Sequence, residues 1–301
     1  MASAGPKPSV GRERREGRKF FSQNRGGRGG GRGRGAQLSS DMERAQSQNM
    51  KDRPVRPTHF LSLPLGQYPS LRSKIAKFED ALLNSSPNAI SGLDPTIVIN
   101  PRRLHLTLGV MALQSERSEP KGSSEKTVQT ALELLNSLRS QLLQEGPLQI
   151  PLNHLGAFES KKGARVLWVS PKEDGQQDES SEDKAEREKL VRVCNLVHQT
   201  FKQAGYITDT RPLKLHCTIL NTSWRKPSSK RHLLFSFDDV LRSTALADIR
   251  VAPQSSIGST ERLVDVDMGT YTVSEIQLCV MGSHGPEGEY VSVGSVSLTE
   301  M

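Results

Sequence analysis

The chain has 301 residues, 34% of them hydrophobic and 5% aromatic, with 41 Lys and Arg against 33 Asp and Glu. That composition suits a soluble protein of one large domain or two small lobes, and no stretch approaches the ~20 apolar residues of a membrane span. The excess of base is local: residues 1–56 carry 14 Lys and Arg against 5 Asp and Glu, so the rest of the chain is close to neutral, which removes the simplest argument for a basic nucleic-acid-binding body.

Residues 1–53 are predicted to be a disordered tail. They contain almost no large apolar residues and are rich in glycine, so they cannot bury enough surface to offset the entropy of ordering. Within them Arg25, Arg28, Arg32 and Arg34 alternate with glycines. Glycine lets a backbone follow a phosphate chain while arginine neutralises phosphates or stacks on bases, with Phe20 and Phe21 as further stackers. The competing reading is a solubilising tail. Cys194, Cys217 and Cys279 lie far apart, against both a disulfide framework and a cysteine-rich zinc site, and in favour of a reducing compartment.

From Thr58 the pattern is globular. His59–Leu65 reads as a strand, followed by a helix on Leu71, Ile75, Phe78 and Leu82. A second helix is predicted over 124–145 on Val128, Leu132, Leu135, Leu138 and Leu142, ending at Gly146-Pro147. Residues 171–183 hold six acids against one base and are expected to form an exposed, mobile insertion. A third helix follows over 184–204 on Leu190, Cys194, Val197 and Phe201. Further strands are predicted at 104–111, 148–152, 166–169, 215–220, 276–280 and 291–298. The class is α+β.

No P-loop, HExxH or GxSxG motif occurs, so the histidines are the remaining chemistry. His-x-Thr appears three times, at His105-Leu106-Thr107, His198-Gln199-Thr200 and His216-Cys217-Thr218. In the first, strand alternation sets Leu104, Leu106 and Leu108 on one face and His105, Thr107 and Gly109 on the other. In the third, Leu215, Cys217 and Ile219 turn in while Lys214, His216 and Thr218 turn out. His198 and Thr200 fall in a helix, where residues two apart diverge by about 200°, so that copy is a decoy. Two imidazoles suit phosphodiester chemistry, one taking a proton from the attacking oxygen and one giving a proton to the leaving oxygen, with threonine hydroxyls on the non-bridging oxygens. Such a scheme needs neither cofactor nor metal. A zinc site on the same histidines would need a further ligand on their face, and Cys217 points away.

Thr58-His59-Phe60-Leu61, the block from Asn100 to Gly109, and Lys214-Leu215-His216-Cys217-Thr218-Ile219-Leu220-Asn221-Thr222 followed by Arg225-Lys226 resemble the A-kinase-anchor-protein-7-like domain of the 2H phosphoesterase superfamily. The resemblance spans about residues 54–301. It implies a bilobal fold, two pseudo-symmetric antiparallel sheets with outer helices around a central cleft. It also implies a metal-independent phosphodiesterase acting on RNA or a small ribonucleotide, with His105 and His216 as the acid–base pair and Thr107 and Thr218 holding phosphate. Which histidine is the base stays open. Arg225 and Lys226, just past the second motif, are candidate substrate cations. Trp168, Trp224 and Tyr271 are weighed as base-stacking residues and assigned to the core, while His59, His154, His232 and His284 carry no decisive context.

One branch of this family works in a nuclear complex of transcription coactivation and DNA alkylation repair, which implies helicase and repair subunits as partners and a nuclear location, with a cytoplasmic pool also compatible. That branch carries an RNA-binding KH domain, for which no GxxG-bearing αβ pattern is found here; the expectation is either that the Arg/Gly tail takes over RNA attachment or that the chain is a distinct branch that does not join that complex. The alternative from another class is a non-catalytic RNA-binding or scaffold subunit that retains the phosphoesterase shell.

Overall fold

A computed structural model describes residues 56–85, 90–114, 126–172, 180–251 and 262–300, all within one compact unit, Val55–Met301. The segment 1–53, with Arg25, Arg28, Arg32 and Arg34, lies outside the described residues, as does the greater part of the predicted acidic insertion. Among the described residues no helix is long and apolar enough to cross a membrane.

The elements in chain order are β1 (His59–Pro64), α1 (Pro69–Asn84), β2 (His105–Met111), α2 (Val128–Ser137), α3 (Arg139–Glu145), β3 (Leu148–Pro151), β4 (His154–Ser160), β5 (Gly163–Ser170), α4 (Ser181–Gln203), β6 (Cys217–Asn221), α5 (Phe237–Arg242), β7 (Val264–Asp265), β8 (Thr270–Val273), β9 (Glu275–Val280) and β10 (Ser292–Ser297). Short 3₁₀ turns include Pro95–Ile97, Pro101–Arg103 and Thr222–Trp224. Eight strands form one sheet in the order β10-β9-β1-β2-β6-β5-β4-β7, and β3 pairs with β8 in a second sheet of two strands. The pairings are antiparallel.

The large sheet divides into two four-stranded halves, β10-β9-β1-β2 and β6-β5-β4-β7. They meet at a single partner pair, Leu106 with Cys217. The two expected sheets are therefore halves of one, hinged on a junction that carries one His-x-Thr motif on each side.

Helix formation follows the apolar spacing. α1 starts at Pro69, whose fixed φ suits a first turn, and buries Leu71, Ile75, Phe78 and Leu82. The helix predicted over 124–145 is two. Thr127 caps α2 by accepting the Thr130 N–H, with Thr130 bonding back to the Thr127 N–H. At Leu138 the backbone N–H bonds to Leu135, three residues back, which tightens the turn and separates α2 from α3. α4 begins at Ser181 rather than 184, because Ser180 accepts the Asp183 N–H and Glu182 and Asp183 sit in the first turn, where the helix dipole favours acids. The last residues of the expected insertion are thus helical.

β4, β7 and β8 were not predicted. β4 reads His-Leu-Gly-Ala-Phe-Glu-Ser, with a central glycine and no β-branched residue. Gly156 is required there: a Cβ would lie 2.5 Å from the Trp168 ring.

Candidate active site

β2 turns Leu104, Leu106 and Leu108 into the core, each at most 2% exposed, and leaves His105 and Thr107 half-buried on the opposite face. Gly109 departs from the expected alternation. The β1–β2 ladder shifts register between Leu61 and Ser62, and beyond that bulge Gly109 turns inward, where a Cβ would come within 2.1 Å of Ile207. The expectation that Gly109 shares a face with His105 and Thr107 is corrected on that ground. The predicted strand at 215–220 begins at Cys217, with Leu215 only partly buried; Cys217 and Ile219 of β6 are fully buried, while Thr218 and, just ahead of the strand, His216 are half-buried.

Because Leu106 faces Cys217 in an antiparallel pair, the register sets His105 beside Thr218 and Thr107 beside His216. The two imidazoles are diagonal neighbours on one face, a relation that in an ordinary ladder corresponds to roughly 7–8 Å. Four groups with proton-transfer or hydrogen-bonding capacity thus surround one point.

Both rings are held by the same device. His105 Nδ1 donates to the Arg103 carbonyl at 2.7 Å, and His216 Nδ1 donates to the Lys214 carbonyl at 2.8 Å. A carbonyl can only accept, so each neutral ring carries its proton on Nδ1 and keeps a lone pair on Nε2. In each case the residue two positions upstream also sends a cation over an aromatic ring. Arg103 lies 4.5 Å from the Tyr290 centroid and Lys214 lies 4.8 Å from that of Trp168.

Each histidine is walled by one of those rings and by a phenylalanine. His105 packs against Phe60 at 4.9 Å and edge-on to Tyr290 at 5.3 Å. His216 packs edge-on to Phe158 at 4.9 Å and to Trp168 at 6.4 Å. Burial holds both imidazoles below their usual pKa, and the facing His216 and nearby Arg103 add to the effect at His105, which falls to about 4. At His216 burial acts first, and the Lys214 ammonium adds to it. Cys217, behind the sheet, has its thiol pushed up to about 12 by burial, far from a usable thiolate.

The other predicted residues are placed as follows. Arg225 is 3% exposed; its Nη2 donates to the Gly92 carbonyl at 2.6 Å and its Nη1 pairs with Asp94 at 3.4 Å. Its guanidinium is committed to holding the 92–94 loop, so the expectation of a substrate cation at Arg225 is corrected. Lys226 is exposed, and its backbone N–H donates to Thr96 Oγ1 at 3.0 Å. His198 is buried in α4, donating from Nδ1 to the Leu108 carbonyl, and Thr200 bonds to the Leu196 carbonyl, as expected of a decoy. His154 pairs with Asp265 at 3.2 Å, which also meets Lys172 at 3.3 Å. His59 meets the neighbouring Thr58 hydroxyl, His284 accepts from Arg103, and His232 is exposed. Tyr271 is in the core and Trp224 packs against it. Trp168 is 1% exposed, as predicted of a core residue, yet also contributes a wall to His216.

Sequence reasoning missed Phe60, Phe158, Tyr290, Arg103 and Lys214. The last two share one signal, a base two residues ahead of each His-x-Thr motif. The aromatics come from β1, β4 and the segment before β10, and no local pattern joins them. A cavity of about 430 Å³ opens on the His105 side, lined by Arg72, Arg102, Arg103, Glu287, Glu289 and Tyr290 among others.

A model of the "AKAP7 2'5' RNA ligase-like domain" family matches residues 57–298. Among curated proteins, activating signal cointegrator 1 complex subunit 1 of Mus musculus is 25% identical over 186 residues, 60% of this chain and 47% of that protein. An RNA 2',3'-cyclic phosphodiesterase of Archaeoglobus fulgidus is 25% identical over 138 residues, 46% of this chain and 62% of that protein. The chain therefore spans between about half and two thirds of the curated relatives it matches. Among solved structures, E. coli LigT complexed with 3'-AMP aligns with 81% of this chain and 99% of its own at 15% identity and a TM-score of 0.42.

Proposed function

The chain belongs to the AKAP7-like 2'5' RNA ligase-like family of 2H phosphoesterase domains, and from that premise we propose that it is a metal-independent two-histidine phosphodiesterase acting on RNA or a small ribonucleotide phosphodiester. The observation that carries the reading is the matched pair of Nδ1–carbonyl bonds at His105 and His216. They leave two Nε2 atoms, one from each half of the sheet, for proton transfer. In hydrolysis one Nε2 takes a proton from water as its oxygen bonds to phosphorus. The other, entering protonated, gives its proton to the leaving ribose oxygen as the P–O bond breaks. Thr107 and Thr218 hydroxyls hold the non-bridging oxygens between them, and the aromatic walls keep bulk water from the imidazoles.

The tail arginines Arg25, Arg28, Arg32 and Arg34 extend this proposal as a salt-sensitive RNA tether. The relative named as a cointegrator-complex subunit supports a further proposal, that this chain joins a multi-subunit complex; we extend that proposal to a nuclear complex that includes helicase and repair subunits. Co-purification from nuclear extract tests that part.

The activity is tested by turnover, in EDTA, of a short RNA panel with 2',3'-cyclic-phosphate and 2',5'-linked ends by wild type, His105→Ala and His216→Ala. The reading requires cleavage that both variants lose while remaining folded. Strict dependence on added Mg²⁺, or RNA binding without cleavage of any member, sinks it, and the latter result favours the scaffold role.

A further inference from the structure

We propose that the cavity beside His105 is an anion subsite that receives a second phosphate group of the substrate, separate from the phosphodiester that reacts; the inference rests on the phosphodiesterase reading above. Three guanidiniums line the cavity, from Arg72, Arg102 and Arg103, against two carboxylates, Glu287 and Glu289. Arg102 is paired with Glu287 across the cavity wall, and Glu289 accepts the Glu287 backbone N–H at 2.9 Å. Arg72 and Arg103 form no ion pair among the described residues. Arg72 and Arg103 thus line the space as two cations against the one remaining carboxylate, Glu289.

Both guanidiniums are also fixed in advance. Arg72 Nη1 donates to the carbonyls of Gly66 at 2.9 Å and Gln67 at 3.3 Å. Arg103 Nε donates to the Gly288 carbonyl at 2.7 Å, its Nη2 reaches Ser283 and His284, and its guanidinium carbon lies over the Tyr290 ring at 4.5 Å. These acceptors are uncharged, so they orient each guanidinium without neutralising it, and among the described residues the Nε and Nη2 donors of Arg72 and the Nη1 donors of Arg103 are left for phosphate oxygens. Little rotamer entropy is left to lose when the anion arrives.

The volume, about 430 Å³, falls in the range of small-ligand sites and exceeds what one phosphate needs. The opposite side of the junction differs: Lys214 stands over the Trp168 and Phe158 rings, and His216 does not line the cavity. Both flanks carry an aromatic wall with a cation over it, but this cavity and its additional guanidiniums, Arg72 and Arg102, lie on the His105 side. A substrate with phosphates on both sides of a ribose fits one way round.

Calorimetry on the full chain tests this without turnover, using adenosine 2'-monophosphate and adenosine 2',5'-bisphosphate. The expected result is binding of the bisphosphate at least about tenfold tighter at low ionic strength, with the gap narrowing in salt. Arg72→Gln erases the gap and Arg72→Lys restores part of it, with unfolding temperatures measured alongside. Equal affinity of the two ligands for wild type overturns the proposal whatever the variants do, as does a gap that survives in folded Arg72→Gln. The phosphate source is read from kcat/KM for a 2',5'-linked dinucleotide, the same dinucleotide with a terminal phosphate, and the trinucleotide. A gain with the terminal phosphate alone assigns a phosphomonoester, a gain with the trinucleotide assigns the next diester, and no gain with either overturns the subsite. If nothing is cleaved yet the bisphosphate preference depends on Arg72, the subsite stands and the phosphodiesterase reading falls.

Discussion

Leu106 of β2 lies opposite Cys217 of β6 in the one partner pair that joins the two halves of the sheet. Both side chains are fully buried, so this pair fixes the residues on either side of it on the other face. His105 and His216 are set as a diagonal pair by the core beneath them. Residues that act as a unit are non-additive when removed. Each single His→Ala variant is expected to lower kcat by about 10²–10⁴, and the double variant to be no worse than the poorer single one by more than about threefold. Single-turnover rates on a cyclic-phosphate substrate measure this. Losses that multiply would mean the two imidazoles act in separate events.

The depressed pKa values predict the pH dependence of both activity and stability. Burial leaves His105 at about 4 and His216 below its usual range, so in the free protein both rings are neutral at pH 7. The reaction needs one of them protonated, and kcat/KM, which reports the free enzyme, is expected to peak below pH 6.5. A bound phosphate anion favours the imidazolium, so kcat should peak at higher pH than kcat/KM. For stability, the unfolded chain takes up protons below about 6.5 that the folded sites refuse. These two histidines therefore make the fold less stable as pH falls from about 6.5 toward 4. Coincident optima for kcat and kcat/KM would contradict the assignment.

Arg225 separates a structural role from a substrate role. Its guanidinium pairs with Asp94 and bonds to the Gly92 carbonyl while almost wholly buried. Arg225→Met should cost about 2–3 kcal/mol of stability, because a buried pair is broken from one side. Asp94 is partly exposed, so the loss stays at the lower end. The activity of the folded fraction toward a short substrate should hold within about threefold. A raised KM with an unchanged unfolding temperature would return Arg225 to the substrate.

The strand motifs carried their own evidence: alternation at Leu104–Leu108 and Leu215–Ile219 was enough to set His105 with Thr107, and His216 with Thr218, and to reject His198, while the face they share depends on the pairing of β2 with β6. Gly109 escaped the same rule because the bulge opposite Leu61 and Ser62 depends on β1, a partner that local alternation does not include. Arg225 misled for the opposite reason. Its position after the motif was read correctly, but the acceptors that consume it, Gly92 and Asp94, lie more than 130 residues earlier. The aromatic walls converge from four separate segments, so they become visible only once the strand order is known.

Glu79 supplies a test of the packing beneath the junction. It lies on the buried stripe of α1 at 4% exposure, with Oε1 buried and without a hydrogen-bond partner among the described residues. Burial, with the neighbouring Asp80 adding to it, raises its carboxyl to about 9 from an ordinary 4.5. Below pH 4.5 the group is protonated in both states and does not affect the pH dependence. Between 4.5 and 9 the unfolded chain releases the proton and the folded chain keeps it, so stability falls as pH rises. At about 1.4 kcal/mol per unit for a fully shifted group, Glu79→Gln should be more stable than wild type by about 2 kcal/mol or more at pH 8 and nearly equal to it at pH 4. Comparing the two by urea unfolding between pH 7 and 9 isolates the carboxyl, because every other titrating group is common to both proteins. Parallel stability curves over that interval would show that the folded state ionises Glu79 after all and that water reaches the base of α1.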